Sequence, residues 1–103
     1  MLVQISTDRN IEGDDKLTQQ VEGVLRGAFL NDRITRLSAY LRDENSDKKS
    51  GAGDKRCLLE ARLAGLQPIS VSHQAATLEQ ALDGAVEKLK RALDSTLGRL
   101  EGR

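Results

Sequence analysis

The chain is poor in the residues that most often declare a chemistry. It has no tryptophan, one tyrosine, one phenylalanine, one histidine and one cysteine. A lone Cys57 excludes an internal disulfide and fits a reducing compartment. One histidine and one cysteine, with no glycine-rich phosphate loop, compose no catalytic constellation, so neither an enzyme nor a cofactor nor a metal is expected. With only Phe29 and Tyr40 as aromatics, the core has to be built from Leu, Val, Ile and Ala. Net charge is missing as well: 16 Lys and Arg balance 16 Asp and Glu. No global field draws such a chain to nucleic acid or to an anionic membrane, and any polyanion surface requires local segregation of charge. No apolar run approaches the roughly 20 residues that span a bilayer. The start, MLVQISTDRN, has neither the charged nor the apolar part of a signal peptide. A cytoplasmic protein with no membrane partner is expected. At 103 residues the chain is read as one domain over 1–103, long enough for a modest core and too short for two.

The pattern of what is present gives the order of elements. Val3 and Ile5 alternate with Gln4 and Ser6, a short strand. Leu17, Val21, Val24, Leu25 and Ala28 then recur on one face of a helix from about residue 14 to Phe29. Gly23 and Gly27 each weaken that helix by roughly 1 kcal/mol relative to alanine, so packing has to hold it. Leu37, Ala39 and Leu41 alternate with Arg36, Ser38, Tyr40 and Arg42. Cys57, Leu59, Ala61 and Leu63 form another such set, and Ile69, Val71 and His73 a fourth. TLEQ reads as a capping box at Thr77 and Gln80. It opens a long helix with Leu78, Leu82, Ala85, Leu89, Leu93 and Leu100 along one face. The order β-α-β-β-β-α predicts a two-layer α/β (α+β) fold. Its four-stranded mixed sheet has a parallel first pair, and both helices cover one face.

The last helix sorts its charges by sign. At about 100° per residue with Lys88 at zero, Arg91 falls near −60°, Ser95 near −20° and Arg99 near +20°. The leucines centre near 110°. Asp83, Glu87, Asp94 and Glu101 lie on the far flank, with Lys90 among or beside them. A helix built for i, i+4 salt bridges mixes signs more evenly. Two readings are open: a stripe that follows a phosphate backbone, or a solvated face that happens to sort by sign.

Element order, NDRIT before the second strand, and TLEQALDGAVEKLKRAL in the last helix resemble the ribosome hibernation promoting factor family. That family is also called the ribosome-associated inhibitor or sigma-54 modulation protein family. The resemblance covers nearly the whole chain and is strongest from Ile69 to Leu93. It implies a fold similar to double-stranded-RNA-binding domains, and a bacterial, cytoplasmic stress protein. Such a protein binds the small ribosomal subunit and its ribosomal RNA in the messenger and transfer RNA channel, blocking translation sterically. Carried over by position, Lys88 and Arg91 match family residues that contact RNA. Arg99 lies where relatives have a basic helix end, with Arg26 and Lys90 as helpers. Long members carry a C-terminal dimerisation domain, so a chain stopping at Arg103 looks like a short form. The oligomeric state is left open.

Two departures support a rival from another class, a protein-interaction module of the same fold that has lost strong RNA binding. The first helix has only Arg26 where relatives carry lysines, and Glu79 stands where they carry an aromatic residue.

Other segments have plainer readings. Asp43, Asn45, Asp47 and Asp54 echo a calcium loop, but Lys48 occupies the position that needs glycine, and the flanks are strands. The loop DENSDKKSGAGDK is therefore read as solvated, with Lys48, Lys49, Lys55 and Arg56 as candidate phosphate contacts. His73 is read as a partly buried strand residue and Cys57 as an inert core thiol. Tyr40 with Arg36, Arg42 and Arg62 on the outer sheet face could clamp a single strand. One aromatic and the nearby Glu60 make a solvated surface the simpler reading there.

Overall fold

The computed structural model describes residues 1–8, 15–29, 33–43 and 55–101, with backbone alone for 99–101. The elements are β1 Leu2–Thr7, α1 Asp15–Ala28, β2 Ile34–Asp43, β3 Lys55–Leu63, β4 Ile69–Ala75 and α2 Leu78–Glu101. Asn45, Asp47 and Asp54 of the calcium-like pattern, with Lys48 and Lys49, fall outside the described residues, as do Asn31 and Asp32, while Asp43 ends β2.

One sheet contains all four strands in the order β1-β2-β3-β4, so β1 and β4 are its edges. β1 lies parallel to β2, as expected of strands joined through a helix, and the other pairs are antiparallel. Both helices pack on one face, α1 over β1 and α2 over β3 and β4. The alternating sets select that face. Leu37, Ala39, Cys57, Leu59 and Ala61 are sealed from solvent, closed over by Leu25 of α1 and Leu89 of α2. Among the described residues, no helix lies on the opposite face of the sheet.

Two details depart from simple periodicity. Ile34 and Leu37 are both buried although an even number of positions does not separate them. A register shift between Ile34 and Arg36 reconciles them, because the extra residue Thr35 lets the strand change phase. The Thr35 hydroxyl donates to the Arg62 carbonyl at 3.2 Å across the irregularity. Val24, expected on the buried stripe of α1, is instead 37% exposed. It sits at the margin of the cleft between the helices, where α2 does not close over it. Gly23 and Gly27 face open space, so neither is kept small by a neighbour.

Candidate nucleic-acid interface

The start of α2 sets how its charges are presented. The Thr77 hydroxyl accepts the Gln80 backbone N–H at 3.1 Å, and the Thr77 carbonyl accepts the Ala81 N–H at 2.9 Å. From that anchor Ala81, Ala85, Leu89 and Leu93 point onto the sheet and are buried. Gly84 lets the helix come down close. The His73 ring of β4 lies against it, and a Cβ at that position would overlap the ring. His73 is therefore a half-buried packing residue facing α2.

This close approach places Lys88 at the free edge of β4, where its Nζ donates to the Ser72 carbonyl at 2.9 Å. An edge strand leaves such groups without a ladder partner, and the lysine covers one of them. An ammonium has three donors, so two remain for other acceptors. Arg91, less than one turn further on, is exposed. Asp83, Glu87 and Asp94 are exposed on the other flank of the helix. The segregation of sign along α2 thus corresponds to two different surroundings. Lys88 lies at the β4 edge, while Asp83 borders the cleft toward α1 and Asp94 the depression near the end of α1.

The other two described candidates lie apart from that edge. Lys90 is exposed beside Asp94, over a depression bordered by Phe29, Ile34, Leu93 and Leu97 near the end of α1. Arg26 is on α1 at the β1 side, roughly 14 Å of sheet away at the usual strand spacing. Its Nε pairs with Glu22 at 2.8 Å, and a terminal nitrogen donates to the Met1 carbonyl at 3.3 Å. Arg26 is thereby engaged in holding α1 to the start of β1. The side chain of Arg99 lies outside the described residues. Lys88 and Arg91 are accordingly the described pair spaced as neighbours, i and i+3, on the surface of α2, and neither the Ser72 carbonyl nor Gly84 beneath His73 is readable from spacing alone.

Between the helices, Leu17, Val21, Val24 and Leu82 line a cleft of about 170 Å³ with Glu79 and Asp83 at its rim. Burial pushes the Cys57 thiol up to about 12, and its side chain is sealed in the core. Among the described residues no group of histidine, cysteine and carboxylate side chains is arranged to hold a metal ion. No described helix is long and apolar enough to cross a membrane.

The domain is a two-layer α/β fold, a four-stranded sheet with a parallel first pair and two helices on one face. Residues 3–101 match the model of the family described as sigma 54 modulation protein / S30EA ribosomal protein, and the chain belongs to that family. Members in general act without catalysis. Two solved structures share the fold. The Protein Y N-terminal domain of Thermus thermophilus is 21% identical with a TM-score of 0.71, covering 93% of this chain and 99% of its own. A ribosomal subunit interface protein from Coxiella burnetii is 15% identical with a TM-score of 0.76, covering 95% of this chain and 99% of its own. No curated protein sequence matches the chain significantly.

Proposed function

We propose that the protein binds the small ribosomal subunit through ribosomal RNA in the cytoplasm and inhibits translation by occupying the channel. Lys88 and Arg91 are the primary phosphate contacts, extended by Arg99. The single observation that carries this reading is the cationic edge of α2, set apart from the carboxylates of the same helix in a chain of this family. Point cations along a helix suit a phosphate backbone, because each phosphate they neutralise releases condensed counterions and adds affinity that falls with salt. Lys90 and Arg26 contribute at most at the margins, Lys90 beside Asp94 and Arg26 beside Glu22. The mechanism is steric and uses no cofactor.

Cell-free translation tests it. Added wild-type protein lowers the yield of a reporter, and Lys88→Glu/Arg91→Glu/Arg99→Glu restores it; equal inhibition by both proteins would remove the stripe from the mechanism.

A second reading is favoured by one observation, the apolar cleft between the helices with its acidic rim of Glu79 and Asp83. A protein-interaction module of this fold would use that cleft and be indifferent to both salt and ribonuclease.

A further inference from the structure

The surface with the greatest excess of positive charge lies on the other side of the molecule from the helices. Among the described side chains, α1 and α2 together carry six carboxylates against five cations. The open sheet face carries four guanidiniums, those of Arg36, Arg42, Arg56 and Arg62, against the carboxylate of Glu60 and that of Asp8 at its margin. The chain's neutrality thus conceals a positive layer.

The register arranges these arginines in a specific way. Arg36 stands directly opposite Arg62, and Arg42 directly opposite Arg56. Like charges placed opposite each other on neighbouring strands destabilise a sheet, yet the face holds two such pairs. They are six residues apart along β2, roughly 20 Å at the usual rise per residue. Between them lie the Ser38–Glu60 and Tyr40–Leu58 pairs, with Ser6 beside Tyr40 on β1. Tyr40 is 41% exposed, and Leu2, next to Arg36 on the same face, is 51% exposed. A depression of about 320 Å³ borders Tyr40, Leu58, Arg42 and Arg56, with Asp8 at its rim. That carboxylate accepts the Asp43 backbone N–H at 3.2 Å.

We infer that this open face binds a single-stranded RNA segment, with the two arginine rows on phosphates and Tyr40 stacking a base between them. Charge complementarity selects the occupant. A second copy stacked sheet to sheet about a two-fold axis would set arginine rows against arginine rows. A duplex offers backbone charge but no free base face for the ring. A single strand supplies both, and its phosphates relieve the repulsion within the Arg36–Arg62 pair. Lys88, bonded to the β4 edge, carries positive potential from the helical stripe to the rim of this face. The inference shares RNA as partner with the proposed function but does not depend on the α2 stripe.

The test is fluorescence anisotropy of a short mixed-sequence single-stranded RNA and of its duplex, over a salt series. Five proteins are compared: wild type, Arg36→Ser/Arg62→Ser, Tyr40→Ser, Tyr40→Phe and Lys88→Glu/Arg91→Glu. Thermal melts check that each is folded, and all of these substitutions lie on exposed or half-exposed positions. The wild type is expected to favour the single strand. The double arginine variant should lose about tenfold or more at low salt, with a salt slope shallower by about 0.7 for each phosphate contact removed. Tyr40→Ser should lose about tenfold and Tyr40→Phe almost nothing. Loss confined to the α2 variant would overturn this inference and leave the proposed function standing. Wild-type affinity in both sheet-face variants, or no binding of the single strand by any of the proteins, would also overturn it.

Discussion

Gly84 and Gly23 have the same residue type on two helices and opposite surroundings. Gly84 lies under the His73 ring, while Gly23 meets nothing. Gly84→Ala is expected to cost about 1–3 kcal/mol, because the ring must leave its place or the helix must lift. Gly23→Ala should instead stabilise by up to about 1 kcal/mol through helix propensity. Paired thermal or urea unfolding curves check both, and a neutral Gly84→Ala would contradict the close approach of α2 to β4. Cys57 offers a second residue-scale check. Its thiol is sealed and pushed up to about 12, so native protein at mildly alkaline pH should resist a thiol reagent until denaturant is added. The sign of the linkage follows from the neutral form being the folded one. The contribution is complete below the unfolded thiol's range and is lost as pH rises from about 9 toward 12, where the unfolded chain ionises first. The stability margin of wild type over Cys57→Ala should therefore narrow across that window.

At the scale of elements, the alternating and helical patterns were legible because burial on one side imposes them directly. Leu37, Ala39 and Leu41 identify β2, and Leu82, Ala85, Leu89 and Leu93 identify α2, without further information. Ile34 was not legible, since a strict period of two places it on the wrong face and only the irregularity at Thr35 turns it inward. Val24 fits the helical stripe but falls where the two helices part. For the candidate site, sorting of charge around α2 was readable from spacing alone. What each cation touches was not, since the Ser72 carbonyl and the Met1 carbonyl belong to strands distant in sequence. The same holds for the Arg36–Arg62 and Arg42–Arg56 pairs, which depend on register. Element-level energetics give two expectations. Leu89→Ala, at a fully buried site on α2, should cost about 2–5 kcal/mol. Lys88→Met, which keeps the aliphatic stem but loses the bond to β4, should cost less than about 1 kcal/mol at so exposed a position. A large loss of stability in Lys88→Met would make Lys88 chiefly a structural tie.

The whole molecule combines zero formal charge with a division of charge between its layers. One side of the sheet carries helices of nearly balanced charge with Lys88 at the β4 edge, and the other carries arginines in register. Such a protein has no long-range pull toward RNA, so its association should be strongly local and sensitive to salt. The claim on which the account turns is that the α2 edge holds the protein on the small subunit. Co-sedimentation with isolated ribosomal subunits across a salt series, wild type beside Lys88→Glu/Arg91→Glu/Arg99→Glu, tests it most directly. Wild type is expected to travel with the small subunit at low salt and to be released as salt rises, while the variant stays in the supernatant throughout. Equal sedimentation of the two proteins, whether both are bound or both free, would contradict it.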